Sequence, residues 1–146
     1  MVSSTFWTES HFTGLALILG GLLFSVGAFM PLRDKKGAFI YGLPPREWLN
    51  VIFDHPRLWQ WANILFMSGV VVTILGLVML TILLRDTGDR AFSQLGLVAF
   101  VFGAVLWIIN LAFRLSIDPW AAQETARTAV MPDFYVPLTR WYSYWT

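Results

Sequence analysis

Two histidines, His11 and His55, are the side chains in this chain best suited to metal binding or acid–base chemistry. Each has one carboxylate nearby, because Glu9 lies two residues before His11 and Asp54 adjoins His55. Zinc sites in proteins use three or four protein ligands, so neither pair completes such a site. A lone histidine is usually a polar side chain at a boundary with water, although His11 could also be an axial ligand of a haem-type or chlorophyll-type macrocycle. We keep His11 as a candidate cofactor-binding residue and assign no metal site.

Motifs for catalysis are absent from the sequence. It has no cysteine, which excludes a thiolate nucleophile, a thiolate metal site and a disulfide. Neither a dinucleotide fingerprint nor a phosphate loop occurs, and G-x-S-x-G and H-E-x-x-H are missing as well. The sequence therefore predicts a protein that is not an enzyme, and we assign no catalytic residue.

The composition indicates where the chain resides. Of its 146 residues, 57% are hydrophobic and only 13% are charged, against about 25% charged in typical soluble domains. Three charge-free stretches, residues 12–30, 61–84 and 92–113, approach or exceed the roughly 20 helical residues that cross a hydrocarbon core. We predict an all-α integral membrane protein with three transmembrane helices. The first span is expected to remain in the mature protein, because no Lys or Arg precedes it and no small-residue cleavage site follows it.

Basic residues predict the orientation of these spans. Five Lys and Arg residues lie between the first two spans, two lie in the short second loop, and three follow the third span. The positive-inside rule then places the amino terminus outside and the carboxyl terminus inside, which puts His11 and His55 on opposite faces. The predicted segments outside the spans are an outer amino-terminal segment 1–11, a cytoplasmic loop 31–60, an outer loop 85–91 and a cytoplasmic tail 114–146.

One face of the third predicted span forms a candidate groove. Small residues and two larger polar or aromatic ones recur there at helical spacing: Gly96, Ala99, Gly103, Trp107 and Asn110. The face could contact a helix of another protein, or accept a flat apolar ligand such as a pigment, a quinone or a lipid chain. Packing of the three spans against one another would explain the same pattern. No ionisable residue lies inside a span, which disfavours an ion-coupled transporter.

The first loop contains a predicted amphipathic helix at about residues 45–55, which begins at a Pro-Pro pair and is limited by Pro56. Such a helix can lie in the membrane plane or pack on the protein's own spans, and the sequence leaves both open. The basic residues Arg33, Lys35 and Lys36 are expected to set topology and contact anionic lipid. The predicted interfacial side chains, including two tryptophans at the start of the second span, are Trp48, Leu49, Ile52, Phe53, Trp59 and Trp61.

The tail is predicted to form a separate helix from about Pro119 to Ala129, with Asp118 as its N-cap and Pro132 as a stop. A second helix start is expected at Pro137. Tryptophan and tyrosine suit both lipid headgroups and protein interfaces, so the aromatic end is either a lipid anchor or a docking surface. We favour docking to a partner, through Phe134, Tyr135, Trp141, Tyr142, Tyr144 and Trp145.

A resemblance covers residues 57–138. The stretch "RLWQWANILFMSGVVVTILGLVMLTILLRDTGDRAFSQLGLVAFVFGAVLWIINLAFR", followed by "DPWAAQET" and "PDFYVPL", resembles a group of uncharacterised multi-pass bacterial membrane proteins. The resemblance rests on the spacing of small and aromatic residues. It implies a location in the bacterial cytoplasmic (inner) membrane and implies no activity.

The sequence thus favours a non-catalytic accessory subunit of a larger membrane complex, with other integral membrane subunits and lipids as partners and no nucleic acid. Energy-converting complexes, namely a photosynthetic reaction centre with its light-harvesting antenna or a respiratory complex, are the expected class. The alternative is a membrane protein that binds or carries a small apolar ligand such as a lipid, quinone or pigment.

Overall fold

A computed structural model describes residues 4–30, 32–33, 35–86 and 90–143. Of these residues 87% are helical, and none of them forms a strand. The helices are α1 (Ser4–Phe29), α2 (Pro45–Asp54), α3 (Pro56–Leu83), α4 (Arg90–Thr128) and α5 (Tyr135–Ser143), with 3₁₀ turns at Ile40–Gly42 and Leu84–Asp86.

Three of these helices are long and apolar enough to cross a membrane. They are Thr8–Phe29 of α1, Pro56–Leu83 of α3 and Ala91–Thr128 of α4. At about 1.5 Å per residue, each exceeds the roughly 30 Å of a hydrocarbon core. The structure therefore confirms the prediction of an all-helical chain with three helices of membrane-crossing length.

The chain divides into two compact units. Unit 1 comprises Met1–Ala28 and Ile64–Ile108, and unit 2 comprises Phe29–Asn63 and Ile109–Thr146. Helices α3 and α4 each contribute one part to unit 1 and another part to unit 2.

In unit 1, glycines allow α1 and α3 to approach closely. A Cβ atom added at Gly20 would lie 2.8 Å from the backbone nitrogen of Thr73, and one added at Gly69 would lie 2.8 Å from the Cα of Phe24. Phe24 also packs against Phe66, with ring centroids 4.2 Å apart. Close helix approach at small residues is the usual way in which apolar helices associate in lipid, where burial of apolar surface supplies no driving force.

In unit 2, the loop before α2, the α2 helix and the parts of α3, α4 and α5 enclose a hydrophobic core. Helix α2 is also tied to the end of α4, because Arg46 Nη2 donates a hydrogen bond to the carbonyl oxygen of Ala129 (3.2 Å). The core is formed by Leu32, Ile40, Leu49, Val51, Ile52, Trp59, Ala62, Ala121, Ala122 and Tyr135.

Helix α4 continues through Pro119, which corrects the predicted helix start at Asp118–Pro119. A proline inside a helix removes one backbone hydrogen bond, and tertiary packing can offset that loss. Here Ala121 and Ala122, which follow the proline, are buried in the core of unit 2. The helix ends at Thr128, where Ala129 takes a positive φ of 57°, the left-handed conformation that commonly terminates helices.

Helix α5 begins at Tyr135, two residues before the predicted start at Pro137. The first backbone N–H groups of a helix have no partner within it, so a proline in the first turn removes no helical hydrogen bond. The proline is therefore compatible with a helix that begins earlier.

Candidate functional site

The most unusual feature of unit 2 is a row of buried polar residues along α4. Asn110, Arg114, Asp118 and Thr125 are each at most 5% exposed. Their spacing of four, four and seven residues places them on one helix face. Burial of charged groups is expensive unless they are paired, so a buried guanidinium and carboxylate mark a position with a defined role. From the sequence, Arg114 counts only as one of the three basic residues after the third span, and Asp118 is predicted only as a helix N-cap.

Asp118 binds the first residue of α5. The Tyr135 hydroxyl donates a hydrogen bond to Asp118 Oδ1 over 3.0 Å, and both residues are fully buried. Because Tyr135 is the first residue of α5, this bond fixes the start of that helix against α4. Helix α5 also contacts α2.

Arg114 lies among aromatic rings. Its guanidinium carbon is 5.7 Å from the centroid of the Tyr41 ring and 5.9 Å from that of Trp48, distances typical of cation–π contacts. Its carbonyl oxygen accepts a hydrogen bond from Trp59 Nε1 (2.9 Å), and its charge acts on Asp118 one helical turn later. The guanidinium therefore links α4 to the loop and to α2, while its backbone links α4 to α3.

Asn110 completes the row in an unusual way. Within the part of the chain that the structure describes, neither atom of its side-chain amide has a hydrogen-bond partner, although both are buried. Asn63 of α3 differs, because its Nδ2 donates to the carbonyl oxygen of Trp59 over 2.8 Å. An unpaired buried amide destabilises the protein unless a polar group of a bound molecule or partner pairs with it.

The charges of the row are enclosed within unit 2 and join its elements. Arg114 and Asp118 are at most 4% exposed, so a reactant could reach neither group without displacing the core of unit 2. The row thus fastens the loop, α3 and α5 to α4.

The residues of the predicted groove take different environments. Gly96 and Ala99 are exposed, and Gly103 and Trp107 are half-buried. A Cβ atom added at Gly96 or Gly103 would meet no atom of another helix within 4 Å in the part of the chain that the structure describes. Trp107, in contrast, packs on Phe66 with ring centroids 5.2 Å apart. In unit 1, the small residues of this face are therefore open. Asn110, the last residue of the predicted groove, is buried in unit 2.

The predicted interfacial residues divide into two sets. Leu49, Ile52 and Trp59 are buried in the core of unit 2 and Trp48 is half-buried, whereas Phe53 and Trp61 are exposed. For the buried face of α2, packing on the protein's own chain is the interpretation that agrees with the structure.

The predicted docking residues also differ in their exposure. Tyr135 is buried within its own chain, so the prediction that it meets a partner is corrected, because its hydroxyl and ring are already engaged in unit 2. Phe134 is 47% exposed and stacks on Trp120 of α4, with centroids 5.7 Å apart. Tyr144 and Trp145, and the side chains of Trp141 and Tyr142, lie outside the described residues.

The two histidines belong to different units. His11 is exposed on α1, and His55 is the C-cap of α2. Among the described residues, no group of three histidine, cysteine or acidic side chains is placed to hold a metal ion.

A cavity of about 640 Å³ lies beside His55 in unit 2. Sequence patterns do not predict this cavity, because its walls come from two segments that only folding brings together. Seven of its nine lining residues are polar or charged, and the full set is Arg33, Lys35, Lys36, Glu47, Asn50, Val51, Phe53, Asp54 and His55.

Comparison of the chain with protein families, curated proteins and solved structures finds no match. The resemblance to uncharacterised multi-pass bacterial membrane proteins stays a prediction.

Proposed function

We propose that the protein is a non-catalytic accessory subunit of a larger membrane complex. The observation that carries this proposal is the open face of α4 in unit 1, formed by Gly96, Ala99 and Gly103. Apart from the backbone of α4 itself and the adjacent residues, no atom of the described residues lies within 4 Å of the position that a Cβ would take at either glycine. A helix from another subunit could approach this face as closely as α1 approaches α3.

The contrast within unit 1 supports this assignment. Gly20 and Gly69 lie where α1 and α3 touch, so their lack of a side chain serves packing inside the chain. Gly96 and Gly103 serve no such packing, although glycine inside a helix is destabilising by about 1 kcal/mol relative to alanine. Surface that only faces lipid gains nothing from small residues, whereas surface that meets a helix does.

Unit 2 offers a second contact region. Trp120 and Phe134 stack on each other and remain half exposed. Their positions are held by α4 and by the bond between Tyr135 and Asp118, so the pair is a fixed aromatic surface. Exposed aromatic side chains held rigidly are favourable anchors in protein interfaces.

Within this proposal, the complex is an energy-converting one of the bacterial inner membrane, photosynthetic or respiratory, because such assemblies contain many small helical subunits. His11, exposed on α1, is the candidate contact to a pigment or haem of a neighbouring subunit.

The second candidate function is binding of a small apolar ligand such as a quinone, pigment or lipid. Trp107 favours it, because its half-buried ring lies one helical turn beyond Gly103 and could stack on a flat ligand. In that case the open face of α4 would hold a molecule instead of a helix.

The test compares Gly103→Leu with Gly42→Leu, a matched control in the 3₁₀ turn of unit 2, outside the long apolar helices, at which an added Cβ also meets no atom of another described residue within 4 Å. Each tagged chain is extracted from its native membrane in mild detergent, the complexes are separated by size, and co-migrating proteins are identified by mass spectrometry with an absorption spectrum. We expect the unchanged chain and Gly42→Leu to migrate with the same partners at fixed stoichiometry, and Gly103→Leu to lose them.

Migration of the unchanged chain as a small particle without partner proteins would overturn the accessory role. If that particle carried a quinone, pigment or lipid that Gly103→Leu lost, the second candidate function would replace the first. Phe134→Ala adds an independent check, because it removes half of the aromatic stack and leaves the bond between Tyr135 and Asp118 in place.

A further inference from the structure

The cavity beside His55 combines two segments of unit 2. One wall comes from the loop before α2, which contributes Arg33, Lys35 and Lys36, and the other comes from α2 and its C-cap. The volume of about 640 Å³ lies within the range of about 300–1,000 Å³ found for small-molecule sites.

The loop that carries the basic residues has a defined conformation. Arg33 and Phe39 form an antiparallel bridge, and Ile40 N donates a hydrogen bond to the carbonyl oxygen of Leu32 over 3.0 Å. Leu32 and Ile40 are both buried in the core of unit 2. Gly37 turns the chain between them with a φ of +85°, a conformation that favours glycine. The ends of the loop are thus anchored, and its three cations are presented together.

The charges of the cavity favour an anion. Three cations line it against two carboxylates, Glu47 and Asp54. Asp54 already forms an ion pair with Lys35, with Nζ and Oδ2 3.4 Å apart. Within the described residues, no carboxylate forms an ion pair with Arg33.

The donor set suits a phosphate group. A guanidinium presents parallel N–H groups that match two phosphate oxygens, and an ammonium adds a point charge. Lys36, the amide of Asn50 and the imidazole of His55 supply further donors from both walls. A phosphate has more oxygens than a carboxylate, so it can use donors that converge from two sides.

The remaining lining indicates an organic substituent on the phosphate. Glu47 would repel a bare anion but can accept hydrogen bonds from hydroxyl or ammonium groups next to it. Val51 and the exposed Phe53 provide apolar wall. We propose that this cavity binds a phosphate ester, supplied either by a phospholipid head group or by a soluble molecule such as glycerol 3-phosphate.

The test measures binding to the purified full chain in detergent by native mass spectrometry and thermal unfolding. The probes are phosphatidylglycerol, phosphatidylcholine and glycerol 3-phosphate. The double variant Arg33→Gln, Lys36→Gln removes two donors from exposed positions, and Asn50→Asp places a carboxylate of nearly the same shape in the cavity. Arg127→Gln, Arg140→Gln is the charge-matched control, because both of its residues are exposed in unit 2 and neither lines the cavity.

We expect the cavity variants to weaken binding of phosphatidylglycerol about tenfold for each charge-assisted hydrogen bond lost, and the control to bind as the unchanged chain does. Binding should also weaken with salt, since the cavity is open to solvent. Tight binding of phosphatidylglycerol with weak binding of glycerol 3-phosphate would identify a lipid head group as the source. Equal binding of the two would identify a soluble ester.

The proposal is overturned if the cavity variants bind all probes as the unchanged chain does, or if the control loses binding to the same extent. Since the substituted residues are exposed, a circular dichroism spectrum like that of the unchanged chain is expected for every variant. Asn50→Asp tests the proposal separately from the double variant, because it keeps both cations. The outcome does not depend on whether the chain has protein partners.

Discussion

At the scale of single residues, the decisive feature is how α4 places charge inside unit 2. Arg114 and Asp118 are buried one helical turn apart, and Tyr135, Tyr41 and Trp48 surround them. Buried charged groups add little net stability over apolar side chains, but removal of a group that contacts them is costly. These contacts therefore specify which surfaces meet, and they leave α5 one defined position.

The first prediction concerns the hydroxyl of Tyr135. Tyr135→Phe removes the donor to Asp118 Oδ1 and leaves a buried carboxylate with one partner fewer. We expect a loss of about 1–3 kcal/mol in the free energy of unfolding, with earlier cleavage of α5 by proteases, measured by thermal unfolding and limited proteolysis in detergent. Tyr41→Phe is the control, because Tyr41 is 42% exposed and the variant keeps the ring over Arg114. Equal effects of the two variants would contradict the role of the bond.

The second prediction concerns the buried amide of Asn110, whose two polar atoms lack partners among the described residues. Asn110→Leu replaces the amide by an apolar group of similar size and should raise stability by about 1–3 kcal/mol. Asn63→Leu should show no such gain, because it removes a hydrogen bond of 2.8 Å. The measurement is thermal unfolding of the purified chain. A marked loss of stability in Asn110→Leu would mean that the amide is paired with a bound molecule or partner.

At the scale of elements, small residues divide into those that pack inside the chain and those that remain open. Gly20, Gly69 and Gly76 meet the facing helix in unit 1. An added Cβ at Gly21, Gly96 or Gly103 would have no neighbour from another helix within 4 Å among the residues described. Both sets occur at helical spacing within apolar sequence. The positions of the neighbouring helices decide which glycines contact another helix.

The third prediction uses two adjacent glycines of α1. Gly20→Leu would drive a side chain into Thr73, including its backbone nitrogen at 2.8 Å, so α1 and α3 must separate. We expect a loss of about 1–3 kcal/mol or more, since overpacking forces backbone shifts. Gly21→Leu makes the same chemical change with no neighbour within 4 Å and should leave stability nearly unchanged. Thermal unfolding in detergent compares the two, and similar stabilities would show that the close approach is absent.

At the scale of the whole molecule, three helices of membrane-crossing length make a membrane location plausible. The orientation is a prediction from charge alone, with eight basic residues on one side of the predicted membrane and two on the other. It determines which compartment the cavity of unit 2 faces. Under the predicted orientation, the cavity lies on the cytoplasmic side, where anionic lipid head groups produce a negative surface potential.

The fourth prediction tests this orientation. The chain has no cysteine, so single cysteines can be introduced without a background. We expect Lys36→Cys and Gln123→Cys to react with a membrane-impermeant maleimide only after the membrane is disrupted, and Thr8→Cys and Arg85→Cys to react in intact cells. Labelling in the reverse pattern would invert the orientation.

Local sequence patterns were sufficient to predict the helical class, the three long apolar helices and the position of α2. These features follow from local composition and periodicity. A helix satisfies its own backbone hydrogen bonds, so an apolar run of sufficient length can be recognised as a membrane-crossing helix without knowledge of its neighbours. The bounds of α2 agree closely, with a helix predicted at about 45–55 and found at Pro45–Asp54.

The contacts of the polar and small residues, in contrast, depend on tertiary packing. Asp118 and Pro119 have the signature of a helix start, yet packing of Ala121 and Ala122 keeps α4 continuous and turns Asp118 inward to Tyr135. Arg33 and His55 line the same cavity although they are far apart in sequence, and no local sequence pattern predicts that they meet. Such contacts depend on which faces fold together, and the same residue types in the same order allow more than one such arrangement.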